Sequence, residues 1–350
     1  MQTVFSSIQL RHAPVHEISD GQVKAAVETP SRAEAVLAQI RDRRFGSVVP
    51  PFEFGPRALR RVHSQSYISF LETFWERWTE LGRDGEAFPF VWPIRSLRQE
   101  PLPDHVDGLL GRYSMDAGTP LGEFTFAAAK ASADTALTAA QLVLEQGHPA
   151  AFGLCRPPGH HAGVDFYGGY CYLNNAAIAA QWLRDYGASR VAILDLDYHH
   201  GNGTQSIFYE RSDVLFLSIH ADPRQEYPFF LGHADETGEQ AGTGFTRNWP
   251  LPYGTGWTGY EPALEEACRW LVVYRPDYLV VSLGLDCFEE DPIGGFRLTS
   301  EDFKRLGARL ARLNVPTIFL MEGGYATATL GINCLNVLQS FEEARRELAA

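Results

Sequence analysis

The run Asp195-Leu196-Asp197-Tyr198-His199-His200-Gly201-Asn202-Gly203 carries carboxylates and an imidazole at alternate positions. Side chains alternate along a strand, so Asp195, Asp197 and His199 share one face where a strand would end. A carboxylate and an imidazole two residues apart can reach one divalent ion. The Gly-Asn-Gly that follows forces a tight turn. Taken alone, the pattern equally suits a structural Asp/His pair that caps the next helix. Asp286 changes the balance. It stands at the end of the apolar run DYLVVSLG, where it supplies a third ligand. Two Asp and one His leave a coordination position open, the mark of a catalytic rather than a structural zinc site. Iron(II) or cobalt would also suit such a set, because affinity order alone does not select the metal.

His160 and His161 follow Arg156-Pro157-Pro158-Gly159, a stiff loop that presents both rings. With three ligands already in hand, proton transfer beside the metal is their better role. Asp195 can hydrogen-bond one imidazole and raise its basicity. Asn202 can orient the other ring but adds no charge. Tyr325 follows Glu322-Gly323-Gly324, and the glycines let its phenol swing toward the metal. There its hydroxyl would donate to a developing oxyanion. Alone, it reads as an ordinary loop tyrosine.

The elements that must position these groups are strands. Short, nearly continuous apolar runs occupy 150–155, 190–197, 214–220, 277–284 and 316–322. Such strands are buried on both faces, as in a parallel sheet covered by helices. Amphipathic stretches at 174–186, 261–274 and 300–312 lie between them. The rhythm predicts an α/β fold, a mostly parallel multi-stranded sheet flanked by helices. Each of the five runs ends in chemically capable residues, and ligand crevices lie beyond the carboxyl ends of such strands. The five loops are therefore expected to converge. Residues 1–125 are less regular. Helices are expected at 37–43 and 67–81, the second with Phe70, Phe74, Trp75 and Trp78 at helical spacing, a stripe for core or subunit contact. The Pro/Gly-rich segment 88–121 reads as an ordered loop insertion that walls the site.

No linker or repeat divides the 350 residues, so one domain is expected over 1–350. The net charge of −13 disfavours a nucleic-acid partner and would attract a small cationic substrate, although it also serves solubility. No signal peptide and no membrane-spanning run is evident. Five cysteines without a C-x-x-C read as reduced thiols in a cytoplasm.

Together and in this order, RPPGHH, GGYCYLNNAA, DLDYHHGNGTQ, SLGLD and MEGGY resemble the arginase/deacetylase superfamily on its histone-deacetylase side. RHAPVHE and PFFLGHADETGEQAG are similar to its bacterial acetylpolyamine-hydrolysing branch. The resemblance implies one zinc on Asp197, His199 and Asp286. It makes His161 the general base and acid, His160 its electrostatic neighbour paired with Asp195, and Tyr325 the carbonyl-polarising group. Tyr170, with Gly169 before it, and Tyr227 match the walls of a substrate channel. The family also binds potassium, here through Asp195, Asp197, His199, Ser218 and Ile219, with a second site near Phe208, Arg211 and Val214. Many histone deacetylases carry Asp where this chain has Asn202. A homodimer with 88–121 at the contact is expected from the resemblance and from the aromatic content of that segment.

The implied activity is hydrolysis of the acetyl amide of an N-acetylated polyamine or diamine. Glu17, Asp107 and Asp116 are candidates to meet a distal ammonium, and each also reads as a surface acid. The rival readings are a class II-type deacetylase of acetyl-lysine proteins, a binuclear manganese arginase and a non-catalytic ligand-binding relative. Gly284 stands two before Asp286, and His200 rather than Asp follows His199, so a second bridging metal lacks carboxylates. No metal-binding or proton-transfer residue is missing, which speaks against a dead site.

Overall fold

A computed structural model describes residues 1–349. The strands, in chain order, are β1 (Gln2–Val4), β2 (His16–Ser19), β3 (Gln22–Ala25), β4 (Val48–Val49), β5 (Ala150–Gly153), β6 (Val191–Asp195), β7 (Val214–Ala221), β8 (Thr246–Leu251), β9 (Tyr278–Leu283) and β10 (Thr317–Met321). Among the described residues, eight of these form one sheet in the order β4-β1-β5-β10-β9-β6-β7-β8. Every pairing within it is parallel. β2 and β3 make a separate antiparallel hairpin. All five expected strands are present, and β5, β6, β7 and β10 are buried along their whole length.

Helices cover both faces, which is why the central strands carry no polar alternation. On one face Thr125–Leu144 and Asn175–Asp185 cover the sheet, Gln65–Glu80 packs outside them against Thr125–Leu144, and all share one core with Val191, Ile193 and Phe216. On the other, Ser31–Asp42, Trp257–Tyr274, Ser300–Ala311 and Thr327–Ala349 pack over Leu194, Leu217, Val281 and Phe319. Phe70 and Phe74 are buried, and Trp75 and Trp78 pack against the same core, so this stripe is core. Segment 88–121 is not loop throughout. It contains the helix Val106–Tyr113, and an Ala87–Leu121 bridge closes its base.

The N-terminal quarter is joined to the sheet by buried charge. Glu28 accepts from Arg32 Nη1 and Arg156 Nη2, each at 2.9 Å. Arg32 also donates from Nε to Gly324 O at 2.6 Å and from Nη2 to Glu322 O. Arg156 donates to Gln9 O at 2.7 Å. Burial opposes the charge on Glu28, but Arg156 and then Arg32 outweigh it and hold its carboxyl below the usual range. Glu28 therefore contributes stability above the ordinary glutamate pKa, and that contribution is lost as pH falls through the lowered value. Glu28→Ala strands two buried guanidinium groups. Urea unfolding near neutral pH is expected to register a loss of about 3–5 kcal/mol.

Candidate active site

β6 ends at Asp195, and the chain bends there. Asp197 and His199 meet Asp286, which follows β9. His199 Nδ1 lies 3.1 Å from Asp286 Oδ2 and 3.3 Å from Asp197 Oδ1. The three donor atoms lie within 4.8 Å of one another, and all three residues are buried. Close approach of the two loops requires glycine at 284, where a Cβ would stand 2.3 Å from Asp197 Oδ2. Backbone N–H groups aim the carboxylates: Tyr198 N donates to Asp286 Oδ1 at 2.9 Å, and Gly323 N to Asp197 Oδ2 at 2.8 Å. Burial and the neighbouring Asp197 push the Asp286 carboxyl up. Two carboxylates in one dry crevice call for a cation between them. Their hard oxygen and imidazole donors fit a divalent metal.

Asp195 does not join this cluster, although strand alternation puts it on the same face. Its Oδ2 lies 3.0 Å from His160 Nδ1. His161 Nδ1 lies 2.7 Å from Asn202 Oδ1. The paired rings, with centroids 4.0 Å apart, consequently behave oppositely. Burial works against charge on His160, but Asp197 and Asp195 outweigh it and push its pKa up to about 10. Burial, then the charges of His160 and His199, drives His161 well below its usual value. The two rings are thus pushed in opposite directions, His160 toward its charged form and His161 toward its neutral one. With Nδ1–H donated to Asn202, the lone pair of His161 is on Nε2.

Tyr325 reaches the same crevice from the end of β10. Its ring lies 5.7 Å from that of Tyr170, and the Arg32 guanidinium sits 4.5 Å over its centroid. Burial raises the phenol pKa and Arg32 opposes the rise, so the hydroxyl keeps its proton. A cavity of about 460 Å³ opens onto His160, His161, His199 and Tyr325, with Tyr170 and Tyr227 among its walls. The Tyr227 ring stands edge-on to His161, centroids 5.1 Å apart. Gly169 is also required here, because a Cβ would lie 2.2 Å from His161 Cδ2.

The three acids expected at the far amine differ in fate. Glu17 lines the cavity, and its Oε2 accepts from Tyr170 Oη and Val27 N, each at 3.1 Å. Burial pushes its pKa up. Asp116 also lines the cavity, but its oxygens are taken up by the wall itself. They accept from Gly169 N at 2.7 Å, Tyr227 Oη at 2.8 Å, and Gly118 N and Thr119 N at 2.9 Å. Asp107 is corrected outright: both oxygens pair with Arg83, and it does not line the cavity. Asp195 and Ser218 are register partners on β6 and β7, beside Ile219. Ser218 Oγ is 2.7 Å from His220 Nδ1. Phe208, Arg211 and Val214 lie around the start of β7, and the Arg211 guanidinium is bound to Asp213 and Gln181.

Sequence reasoning missed Glu322 and Arg32. Glu322 Oε2 accepts from Gly159 N at 2.6 Å and His160 N at 3.1 Å, which ties the histidine loop to the tyrosine loop. Its place at a strand end beside Gly-Gly was a usable signal. Arg32 stands nearly three hundred residues from its partners at Glu322 and Gly324, and no local pattern marks it.

The histone deacetylase domain model matches residues 26–341. The chain is 52% identical to acetylpolyamine amidohydrolase 1 of Pseudomonas aeruginosa over 99% of this chain and 100% of that protein. It is 45% identical to the acetylpolyamine amidohydrolase of Mycoplana ramosa, over 97% and 99%. The crystal structure of an acetylpolyamine aminohydrolase from Burkholderia pseudomallei superposes with a TM-score of 0.92 at 40% identity, covering 98% of this chain and 99% of that one.

Asp286→Ala removes one of three donors. Titration of the purified variant with a divalent metal, read by atomic emission after dialysis, is expected to give at least about 100-fold weaker retention.

Proposed function

The chain belongs to the histone deacetylase domain family, and from that premise we propose a zinc-dependent amidohydrolase that cleaves the acetyl amide of N-acetylated polyamines and diamines. The observation that carries the proposal is one cavity lined by His161, Tyr325 and His199, the last a member of the three-donor cluster. The named activity of the full-length relatives supports the substrate class.

Zinc on Asp197, His199 and Asp286 would polarise the acetyl carbonyl and acidify water. His161 takes the proton from the attacking water at Nε2, while Asn202 holds Nδ1. His160 stays charged against Asp195 and steadies the negative charge that develops. Tyr325 donates its hydroxyl to the oxyanion. His161 then passes its proton to the amine nitrogen as the C–N bond breaks, releasing acetate and free amine. No covalent bond to the protein is needed. Tyr170 and Tyr227, after Gly169, flank the methylene chain, and Glu17 attracts the far ammonium.

Structural potassium is proposed on oxygens of Asp195, Asp197, His199, Ser218 and Ile219, with a second ion near Phe208, Arg211 and Val214. The register pairing of Asp195 with Ser218 on adjacent strands supports the first site. We also propose a homodimer through segment 88–121 of the single domain. Its Phe90, Ile94 and Leu97 are more than 60% exposed, and so is Phe230, whose ring lies under the Arg95 guanidinium of the same segment. This concentration of exposed apolar side chains in one segment supports the contact. Five buried, unpaired cysteines fit a cytoplasmic enzyme, and no helix among the described residues is long and apolar enough to cross a membrane.

Turnover of acetylputrescine is expected to exceed that of an acetyl-lysine peptide. The opposite ranking would favour a protein deacetylase. His161→Ala should lower kcat by about 10²–10⁴-fold with metal retained. Glu17→Gln should raise KM for acetylputrescine but not for a neutral acetamide of equal length. Light scattering should give twice the 39.0 kDa chain mass, and a monomer at micromolar concentration would remove the dimer.

A further inference from the structure

We propose that Asp291 is a positioning residue for Tyr325: its buried carboxylate holds the tyrosine backbone and so sets where the phenol can donate. The inference rests on the reading of Tyr325 as the donor to the oxyanion. Asp291 lies in the turn after the Asp286 loop and does not line the cavity. Its Oδ2 accepts from Tyr325 N at 2.6 Å and Ala326 N at 3.2 Å. Its Oδ1 accepts from Ile293 N at 3.1 Å, and Ile293 belongs to the cavity wall. One carboxylate thus fixes a wall residue and the backbone of the oxyanion donor.

The tyrosine needs such an anchor. Gly323 and Gly324 precede it, and Gly324 adopts φ of 118°, a region open to glycine. A Gly-Gly hinge leaves the phenol free to shift unless the backbone is gripped nearby. Arg32 grips it from the carbonyl side, through Gly324 O and Glu322 O. Asp291 grips it from the N–H side.

The anchor is itself seated on the metal-ligand loop. A Cβ on Gly294 would lie 1.9 Å from Asp286 O and 3.3 Å from Asp291 Cβ, so the turn is pressed against Asp286. Asp291 N donates to Phe288 O at 3.0 Å and closes the turn. Asp291 therefore fixes the position of Tyr325 relative to Asp286. That separation decides whether a carbonyl oxygen near the cluster also meets the phenol. The competing account is a plain helix cap. Tyr325 and Ala326 lead directly into the helix Thr327–Ala349, whose N-terminus favours a carboxylate.

A double-mutant cycle separates the two accounts. The probe is a trifluoromethyl ketone with a terminal ammonium, which hydrates to a tetrahedral adduct. Its affinity for the zinc-loaded full chain is compared with that of putrescine, which forms no oxyanion. Asp291→Asn is expected to weaken the ketone about tenfold, with putrescine affinity and zinc content unchanged. In a Tyr325→Phe background the same change should add less than about twofold. Equal weakening in both backgrounds, or parallel loss of putrescine binding, would make Asp291 a structural cap and overturn the proposal. If Tyr325→Phe weakens the ketone and Asp291→Asn does not, only this inference falls. If Tyr325→Phe has no effect, the reading of Tyr325 falls with it. Should the Asn variant not fold, Asp291→Ser carries the same comparison, and failure of both to fold also counts against a positioning role.

Discussion

Asp195, Asp197, Asp286 and Glu322 are all buried at the carboxyl ends of neighbouring strands, and their mutual repulsion must be answered before the sheet can close over them. Each answer also serves as a part of the site. Asp197 and Asp286 turn toward one point with His199, where a divalent cation would relieve them. Asp195 is balanced by a protonated His160. Burial pushes Glu322 up to about 7, and the neighbouring His160 and then the Gly159 N–H pull the other way. Removing any one partner exposes the others to an uncompensated charge, which is costly in a dry interior.

This constraint explains why two adjacent histidines play different parts. Their rings are 4.0 Å apart and could not both be charged cheaply. Asp197 and Asp195 favour the charge on His160. The neutral Asn202 leaves His161 uncharged but fixes its tautomer. An aspartate at position 202 would partly cancel this difference by raising the pKa of His161. With asparagine there, burial and the neighbouring His160 hold the His161 pKa low, and the hydrogen bond to Asn202 opposes them only in part.

The five apolar runs and the polar residues that end them were legible because a parallel strand buried on both faces writes itself as a continuous apolar segment. β1, β4 and β8 were not: two have three residues or fewer, and β8 reads TRNWPL with a proline at the sheet edge. The helix Thr125–Leu144 was hidden for the opposite reason, since it is buried almost all round and lacks a polar face. At the site, local spacing identified Asp197, His199 and Asp286 as a donor set. Alternation alone would add Asp195 to that set; its pairing with an imidazole, which the sequence reading allowed, sets it apart. Asp107 was misassigned because sequence alone does not reveal that Arg83 occupies both its oxygens. Arg32 and Asp291 act through backbone atoms of distant segments, and such contacts leave no mark in either segment's pattern.

The same reasoning bears on how the cavity distinguishes ligands. Both wall tyrosines spend their hydroxyls on acids, Tyr170 on Glu17 and Tyr227 on Asp116. The walls therefore present ring faces and edges rather than free hydroxyls, which suits a methylene chain. Asp116 has little capacity left for a ligand, since it accepts from three backbone N–H groups as well. Glu17 accepts from only one backbone N–H besides Tyr170, and both meet a single oxygen. Its second oxygen remains available to an ammonium. Burial already disfavours its charged form, so an arriving cation would gain more there than at a solvated acid and would in turn stabilise the carboxylate. Of the two acids in the cavity, Asp116 is thus bound into the wall, while Glu17 keeps one oxygen outside its hydrogen bonds.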